Sequence, residues 1–181
     1  MRIKILPVLL ALGLAACAGG TSYRDTSQPI ASMAQVDLTH YAGRWYEIAR
    51  FPVWFQEGCV GVTAEYALRD DGRVDVLNTC RQGALDGPVE TANAVARAVD
   101  ETNARLKVNF APLLPVEGDY WILYVDPDYE LAVVGSPGGT GSWILARSPT
   151  IPPARLADAR AVLADNGYDV EALTLTPQPP A

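Results

Sequence analysis

The sequence predicts an all-β fold: an eight-stranded antiparallel up-and-down β-barrel with one C-terminal α-helix packed outside. Short segments of alternating apolar and polar residues recur at near-even spacing between residues 41 and 147, which is typical of barrels built from successive hairpins. A single segment with helical spacing follows them, late in the chain. Closing the sheet removes its exposed edges, and eight strands can enclose one small ligand.

Composition limits the class of protein. The chain has 181 residues, 49% of them apolar, which suffices for one domain with a sizeable core and is not typical of disorder. The formal net charge is −7; without Arg2 and Lys4 the 14 basic residues become 12 against 21 acidic ones, a balance of −9. We therefore expect no nucleic-acid partner, and we expect any membrane attachment to be covalent.

The N-terminus predicts a lipoprotein signal peptide. A short cationic stretch precedes Ile5–Leu12, an apolar run well below the roughly 20 residues that span a bilayer. Small residues then lead to Cys17 in the tetrapeptide LAAC, which resembles the bacterial lipobox, whose cysteine is lipidated. An ordinary secretory signal, whose small residues end at Ala16 or Ala18, stays open as the alternative.

The same patterns divide the chain into four segments. The stretch after Cys17 is small and polar, with Gly-Gly-Thr-Ser and Ser-Gln-Pro, and is typical of a linker. The last residues are rich in proline. The predicted segments are a signal peptide (1–16), a lipidated N-terminus with a flexible tether (17–36), the barrel domain (37–176) and a disordered tail (177–181).

The first strand is predicted over Tyr41–Phe51, and Pro52 ends it. Gly43 permits a backbone geometry or a close approach that a Cβ would block. Trp45 is large and apolar, and its one N–H needs a partner. By themselves these residues fit a core strand without function as well as any functional strand.

A hairpin follows, with two cysteines near its outer ends. Val60–Leu68 alternates, Asp70-Asp71-Gly72 is a tight-turn signal, and Val74–Asn78 returns. This geometry brings Cys59 close to Cys80, and thiols of an exported chain tend to pair in an oxidising compartment. We predict a disulfide between them; two buried free thiols remain the alternative.

The later segments complete the barrel. Alanines of the fourth strand could leave space inside it, and the sixth strand is apolar on both faces, so it needs a helix or a partner chain on its outer side. A helix is predicted from Pro152-Pro153 to Asn166-Gly167, before a short final strand at Leu173–Leu175. Strands four to eight are predicted at Ala92–Val99, Arg105–Phe110, Gly118–Val125, Leu131–Val134 and Ser142–Arg147.

The pattern G-x-W-Y-E-I-A-R-x-P, from Gly43 to Pro52, resembles the lipocalin family, and within it the bacterial outer-membrane lipoprotein branch. In that family Gly43 and Trp45 open the first of eight strands, and Arg147 stacks on Trp45 at the closed end, a structural role. The middle motif departs from the family pattern at Val125–Tyr129. The resemblance covers nearly all of the mature chain, recurring at Thr63–Tyr66, Val74–Cys80, Leu106–Phe110, Tyr120–Trp121, Trp143–Arg147 and Gly167–Asp169.

The resemblance implies a lipid-binding protein. It implies a fatty acid or lysophospholipid in the barrel, stored or transported for membrane maintenance. In the lipoprotein sorting pattern, an Asp after the lipidated cysteine favours the inner membrane; Ala18 stands there, so we expect a lipid anchor in the outer membrane, on its periplasmic side. A lipocalin-fold enzyme acting on a lipid and a structural envelope lipoprotein are the alternatives, and a homodimer is left open.

Strand alternation assigns the ligand cavity, because the apolar set must be the enclosed one. The assignment rests on charged neighbours such as Glu65 and Lys107, which must point to the other face of the strand. The neighbours of Tyr120 and Tyr124 are also apolar, so the direction of these two tyrosines stays open. In the family, the loop after the first strand folds over the barrel mouth, which makes its two aromatics lid residues that touch ligand or membrane or, alternatively, residues tucked under their own loop. The predicted ligand-binding residues are Tyr66, Val76, Asn78, Leu106, Val108, Phe110, Tyr120, Tyr124 and Trp143, with Trp54 and Phe55 in the lid.

Catalytic and metal-binding motifs are missing from the sequence. It contains no G-x-S-x-G, H-E-x-x-H or P-loop. His40 is the only histidine and fits a surface or capping residue, and one histidine cannot complete a zinc cluster. We expect no enzyme activity, no metal and no cofactor. No Lys lies in the predicted lining, so a zwitterionic or neutral head group fits better than a carboxylate.

Overall fold

A computed structural model describes residues 21–111 and 117–180, which form a single antiparallel sheet with helices outside it. The helices are α1 (Leu38–Tyr41) and α2 (Pro153–Asp165), with 3₁₀ turns at Trp54–Gln56 and Val170–Ala172. The strands are β1 (Gly43–Arg50), β2 (Cys59–Leu68), β3 (Val74–Gln82), β4 (Val89–Ala98), β5 (Arg105–Asn109), β6 (Gly118–Val125), β7 (Leu131–Gly135), β8 (Trp143–Ala146) and β9 (Thr174–Leu175).

The sheet closes into a barrel. Its order is β2-β3-β4-β5-β6-β7-β8-β1-β9, and β1 pairs with β2 as well as with β8. Along β1, Gly43 to Tyr46 pair with β2 and Tyr46 to Arg50 pair with β8, so β1 and β2 separate beyond Tyr46. The predicted eight-stranded antiparallel barrel is confirmed, with β9 as an additional strand outside the closed ring.

The two ends of the barrel differ. We call the end crossed by α1 the closed end; it also holds the start of β1 and the end of β8. We call the opposite end the open end. Three of its loops are residues 51–58, 83–88 and 136–142.

Two apolar clusters lie on opposite sides of the barrel wall. The interior cluster includes Trp45, Leu106 and Val134, while the outer cluster joins the outward side chains of β6, β7 and β8 to Ala159 and Leu163 of α2. The helix therefore supplies the cover that the doubly apolar sixth strand requires. No helix within the described ranges is both long and apolar enough to cross a membrane.

Two β-bulges change which way side chains point. One lies between Glu47 and Ala49 in β1, and the other between Ile122 and Tyr124 in β6. A bulge adds one residue to its strand and so shifts the alternation of side chains beyond it. Tyr124 pairs with Val133 and packs in the outer cluster. The prediction that Tyr124 lines the cavity is therefore wrong.

The prediction of a flexible tether is wrong for residues 21–36. Arg24 is buried, and its guanidinium donates to the carbonyl oxygens of Asn166 at 2.7 Å and Pro137 at 3.1 Å. Val36 is only 1% exposed and belongs to the interior cluster. This segment runs from the open end along the barrel to the closed end, held by backbone hydrogen bonds such as Met33 N–H to the Ile122 carbonyl at 2.9 Å.

The predicted disordered tail also begins too early. The Pro177 carbonyl accepts from the Gly61 N–H at 2.7 Å. The Gln178 amide donates to the Glu47 carbonyl at 2.8 Å and to the Val62 carbonyl at 2.9 Å. The tail thus fills the gap where β1 and β2 separate, because the backbone groups exposed there need partners.

Candidate functional site

Most of the predicted lining residues meet inside the barrel. Val76, Leu106 and Val108 are buried in the interior cluster, and Tyr66, Tyr120 and Trp143 pack against it while only partly buried. Directly paired residues of antiparallel strands share a face, so the pairing of Tyr120 with Leu106 settles its direction as inward. Trp121, its neighbour, lies outside beneath the Arg105 guanidinium, 5.5 Å from the ring centre.

Three tyrosine hydroxyls form a chain deep in this interior. The Tyr120 hydroxyl lies 2.8 Å from that of Tyr41 and 2.8 Å from that of Tyr66. Burial raises the pKa of Tyr66 from 10.0 to about 12, although its hydrogen bond with Tyr120 acts in the opposite direction. Burial likewise raises the pKa of Tyr41 and of Tyr120 well above the usual value. All three hydroxyls are therefore neutral at pH 7 and can donate hydrogen bonds.

Asn78 offers a free amide on the same inner face. It pairs with Ala64 and Ala92, two positions along β3 from the buried Val76. Among the residues that the structure describes, none forms a hydrogen bond with this partly buried amide, and Ala92 beside it is exposed. An amide with two donor hydrogens and one acceptor oxygen, facing an open interior, is suited to a polar group of a ligand.

A polar network that sequence reasoning missed lies between this interior and the open end. The Arg50 guanidinium donates to the Glu47 carboxylate at 2.6 Å and to the Thr176 hydroxyl at 3.1 Å. The Gln56 amide donates to the other Glu47 oxygen at 2.8 Å, and the Trp143 indole donates to Gln56 at 2.9 Å. Glu47 and Arg50 thus neutralise each other while tying the β1–β2 loop to β8 and to the tail.

The aromatic lid and Phe110 are not enclosed. Trp54 is 84% exposed and Phe55 is 55% exposed, and the two rings meet edge to face. Phe110, just beyond β5, is 52% exposed. In this structure the three side chains stand at the rim of the open end and not in the interior.

The closed end is built as the sequence predicts. Trp45 is fully buried, and its indole N–H donates to the Tyr41 carbonyl at 2.8 Å. The Arg147 guanidinium lies 3.9 Å above the Trp45 ring. Gly43 has φ of +94°, and a Cβ there would come within 3.3 Å of Arg147, so both backbone freedom and space require glycine.

Two of the three cysteines lie in the described part of the chain. Cys59 and Cys80 form a disulfide that joins β2 to β3 near the open end, with their Cα atoms 5.4 Å apart. This confirms the predicted pairing. Cys17, the predicted lipidation site, lies outside the described residues.

A groove of about 790 Å³ lies on the barrel wall across β1 to β4. Three consecutive residues from each of β2, β3 and β4 line it, centred on Tyr66, Val76 and Ala94. Because the central residue of each trio points inward, the flanking side chains that form the groove point outward. The lining of the groove also includes Gly43 and Arg44 of β1 and Phe110 beyond β5.

Metal-binding groups do not assemble in residues 21–111 and 117–180, where no three His, Cys, Asp or Glu side chains come together to hold an ion. The single histidine, His40, is exposed and contacts Asp37 at 2.9 Å. Its backbone carbonyl accepts from Arg147 at 2.8 Å. The residue thus belongs to the surface of the closed end.

Comparison with known proteins agrees with this geometry. Residues 36–178 match the model of the lipocalin-like domain. The chain is 33% identical to the outer membrane lipoprotein Blc of Citrobacter freundii, covering 99% of this chain and 100% of that protein. It is 38% identical to temperature-induced lipocalin-1 of Arabidopsis thaliana over 79% of this chain and 80% of that one. Lobster apocrustacyanin A1 superposes with a TM-score of 0.66 at 17% identity, covering 83% of this chain and 91% of the other.

Proposed function

This chain belongs to the lipocalin family, and we propose that it binds one lipid-like amphiphile, a fatty acid or a lysophospholipid, inside its barrel. The observation that carries the proposal is the pairing of an apolar inner wall with polar groups that face it. Asn78 has a free amide, and the hydroxyls of Tyr66 and Tyr120, two residues that are partly buried as a whole, are bonded to each other deep in the barrel. Such a site suits a ligand with a long apolar chain and a small polar group.

The apolar wall fits an acyl chain. Val76 of β3 and Leu106 and Val108 of β5 are each less than 10% exposed and belong to the interior cluster. Each methylene group that leaves water for such a wall contributes about 0.8 kcal/mol. Affinity should therefore rise with chain length until the interior is filled.

The charges of the interior favour a head group without net charge. Arg50 is the one inward cation near the mouth in the described part of the chain, and Glu47 already neutralises it at 2.6 Å. A bare carboxylate would find no unpaired cation there, and a desolvated charge without a partner is costly. We therefore place a zwitterionic lysophospholipid ahead of a fatty acid as the ligand.

The biological setting follows from the relatives and the N-terminus. Two relatives that match nearly the whole chain, from Citrobacter freundii and Escherichia coli, are named outer membrane lipoproteins. We propose that Cys17 carries the lipid anchor, and that the domain stores or transports lipid for membrane maintenance on the periplasmic side of the outer membrane. A catalytic role through a cavity thiol is disfavoured, since Cys59 and Cys80 are bonded to each other.

Ligand binding is tested by paired substitutions on β5. Leu106 is 4% exposed on the inner face, whereas its neighbour Lys107 forms an outer ion pair with Asp119 at 2.8 Å. Leu106→Glu should abolish displacement of a fluorescent lysophospholipid, because it puts a charge on the acyl-chain wall, and Lys107→Gln should leave displacement unchanged. Asn78→Leu, which adds no charge, should weaken the lysophospholipid more than a fatty alcohol. Loss of binding in Lys107→Gln with retention in Leu106→Glu would place the ligand outside the barrel.

The anchor is tested by metabolic labelling. Radioactive palmitate should label the wild-type protein and spare Cys17→Ser, because the thiol of Cys17 is the proposed attachment site. Two chains or more give stable attachment, so the substituted protein should also leave the membrane fraction. Equal labelling of both proteins contradicts the assignment of Cys17.

A further inference from the structure

We propose that the open end of the barrel rests on the lipid bilayer, with Trp54 and Phe55 inserted in its interface, so that the mouth faces the membrane that supplies the ligand. The proposal rests on the lipid anchor at Cys17 put forward under the proposed function. It adds an orientation, a contact surface and a partner, which is a bilayer of zwitterionic lipid. Three independent features of the molecule support it.

The first feature is the place where the described part of the chain begins. The Ser22 hydroxyl donates to the Gly138 carbonyl at 2.9 Å, and the Tyr23 N–H donates to the Gly139 carbonyl at 2.9 Å. Both carbonyls belong to the loop of residues 136–142, at the open end. The N-terminal segment is therefore fixed to the same end of the barrel as the mouth.

The second feature is the shortness of the chain before that point. Cys17 precedes Thr21 by four residues. Four residues span at most about 14 Å even when fully extended. An acyl chain attached to Cys17 thus holds the point where Thr21 meets the open end within that distance of the bilayer surface, whereas the closed end can lie up to a barrel length farther away.

The third feature is the distribution of exposed apolar side chains. In the described part of the chain, Leu68 and Val99 are the exposed large apolar residues of the closed end. The open end carries a larger set, with the highest exposure at Trp54, and indole rings favour the membrane–water interface. This set, the apolar rim, comprises Trp54, Phe55, Leu85, Val89 and Phe110.

The anchor and the apolar rim are also neighbours. The Tyr23 hydroxyl donates to the Pro52 carbonyl at 2.9 Å, and its ring stacks on Phe51 at 4.9 Å. Pro52 begins the loop that carries Trp54. The residues that leave the domain towards Cys17 therefore touch the base of the aromatic loop.

The charge of the rim selects the kind of bilayer. Loops 51–58, 83–88 and 136–142 contain no Lys or Arg, and they contain Glu57 and Asp86. Attraction to anionic lipid requires clustered cations. The contact is therefore apolar, and anionic lipid should weaken it.

The orientation is tested with full-length, lipid-anchored protein in phosphatidylcholine vesicles whose acyl chains carry bromine, which quenches indole fluorescence on contact. The difference in fluorescence between wild type and Trp54→Phe isolates the emission of Trp54. We expect the brominated acyl chains to quench this emission. The matched control moves the indole to the closed end in Trp54→Phe/Val99→Trp, where we expect no quenching. Quenching of the Val99→Trp indole, or equal quenching of wild type and Trp54→Phe, overturns the proposal.

A second measurement separates this proposal from ligand binding itself. Trp54→Ser/Phe55→Ser should slow the uptake of a fluorescent lysophospholipid from vesicles but leave its affinity unchanged when it is offered as monomers. If no variant binds the monomer, the proposed function fails while the quenching result still reports orientation. If Trp54→Ser/Phe55→Ser takes up the lipid from vesicles as fast as wild type does, the bilayer contact has no role in uptake and the proposal is wrong. The proposal is also overturned if the wild type self-associates without lipid and Trp54 is shielded in that state. The apolar rim would then be a contact surface for a second copy of the chain.

Discussion

Two arginines mark the two ends of the barrel, and they are held in different ways. Arg147 at the closed end donates hydrogen bonds to five backbone carbonyls, those of Tyr129, Arg44, His40, Tyr41 and Ala42, at 2.8 to 3.2 Å. Arg50 at the open end donates to a carboxylate, a hydroxyl and two carbonyls. Backbone partners are fixed by the strands and by α1, while side-chain partners keep rotational freedom.

The difference shows how one barrel combines a fixed end with an adaptable one. At the closed end the guanidinium, the Trp45 ring and the chain crossing form one rigid plug. At the open end the Arg50 network includes Gln56, whose loop carries the exposed aromatic pair. A ligand that enters as proposed would meet this second end and its side-chain network first.

The largest expected effect is at the closed end. Trp45→Ala should lower the free energy of unfolding by about 3–5 kcal/mol, because it removes a fully buried aromatic side chain. Arg147→Ala should lower it by less. The double mutant should be sub-additive, since each single change already removes the contact at 3.9 Å. Urea melts of the four proteins measure this, and strict additivity would mean that the ring and the guanidinium do not interact.

The next effect is at the open end. The side chains of Arg50 and Glu47 are 13% and 4% exposed, so Arg50→Met leaves a buried carboxylate without its cation. We expect a loss of about 3 kcal/mol, near the lower limit for breaking a buried ion pair, because Gln56 and Thr176 still donate to Glu47. Adding Glu47→Gln should recover most of the loss in urea melts.

That rescue distinguishes the two ends. Arg147 has no carboxylate within ion-pair distance among the described residues, so no compensating neutral substitution exists for it. If Arg50→Met/Glu47→Gln is as unstable as Arg50→Met, the ion pair is not the source of the loss, and Arg50 acts as Arg147 does, through backbone carbonyls.

The smallest effect concerns the tyrosines between the two ends. Tyr66→Phe removes one buried hydrogen bond, made at 2.8 Å, and should cost about 1 kcal/mol at neutral pH. Because folding raises the pKa of Tyr66 from 10.0 to about 12, its contribution is complete below pH 10 and is lost as the pH rises through 12. Urea melts across this range should decline less steeply for Tyr66→Phe than for wild type. Parallel declines would mean that Tyr66 ionises as freely in the fold as in the unfolded chain.

Sequence reasoning recovered the barrel because its signals are local. Alternation located the strands, and the positions of Trp45 and Arg147 located the closed end. The pairing of Cys59 with Cys80 followed from a hairpin whose turn is indicated by three consecutive residues, Asp70 to Gly72. Each of these inferences depends on neighbours in the sequence or on a family pattern.

The errors in side-chain direction within the strands have one physical cause, the two bulges. Simple alternation places Glu47 and Arg50 on opposite faces of β1, and the bulge turns both inward. In β6 the corresponding bulge turns Tyr124 outward. A bulge depends on how two strands pair, so it cannot be recognised in one strand alone. The Tyr41 hydroxyl in the tyrosine chain was missed for a similar reason, since Tyr120 is 79 residues away.

The seam between β1 and β2 has a consequence for the order of folding. Tyr46 pairs with Ala146, 100 residues later, and Ala49 pairs with Leu175. Contacts this distant are made slowly, and a chain that emerges N-terminus first presents β1 long before these partners exist. One edge of β1 therefore stays unpaired until almost the whole chain has been synthesised. A nascent protein truncated before residue 143 would lack the partner that closes the ring and would expose an aggregation-prone edge.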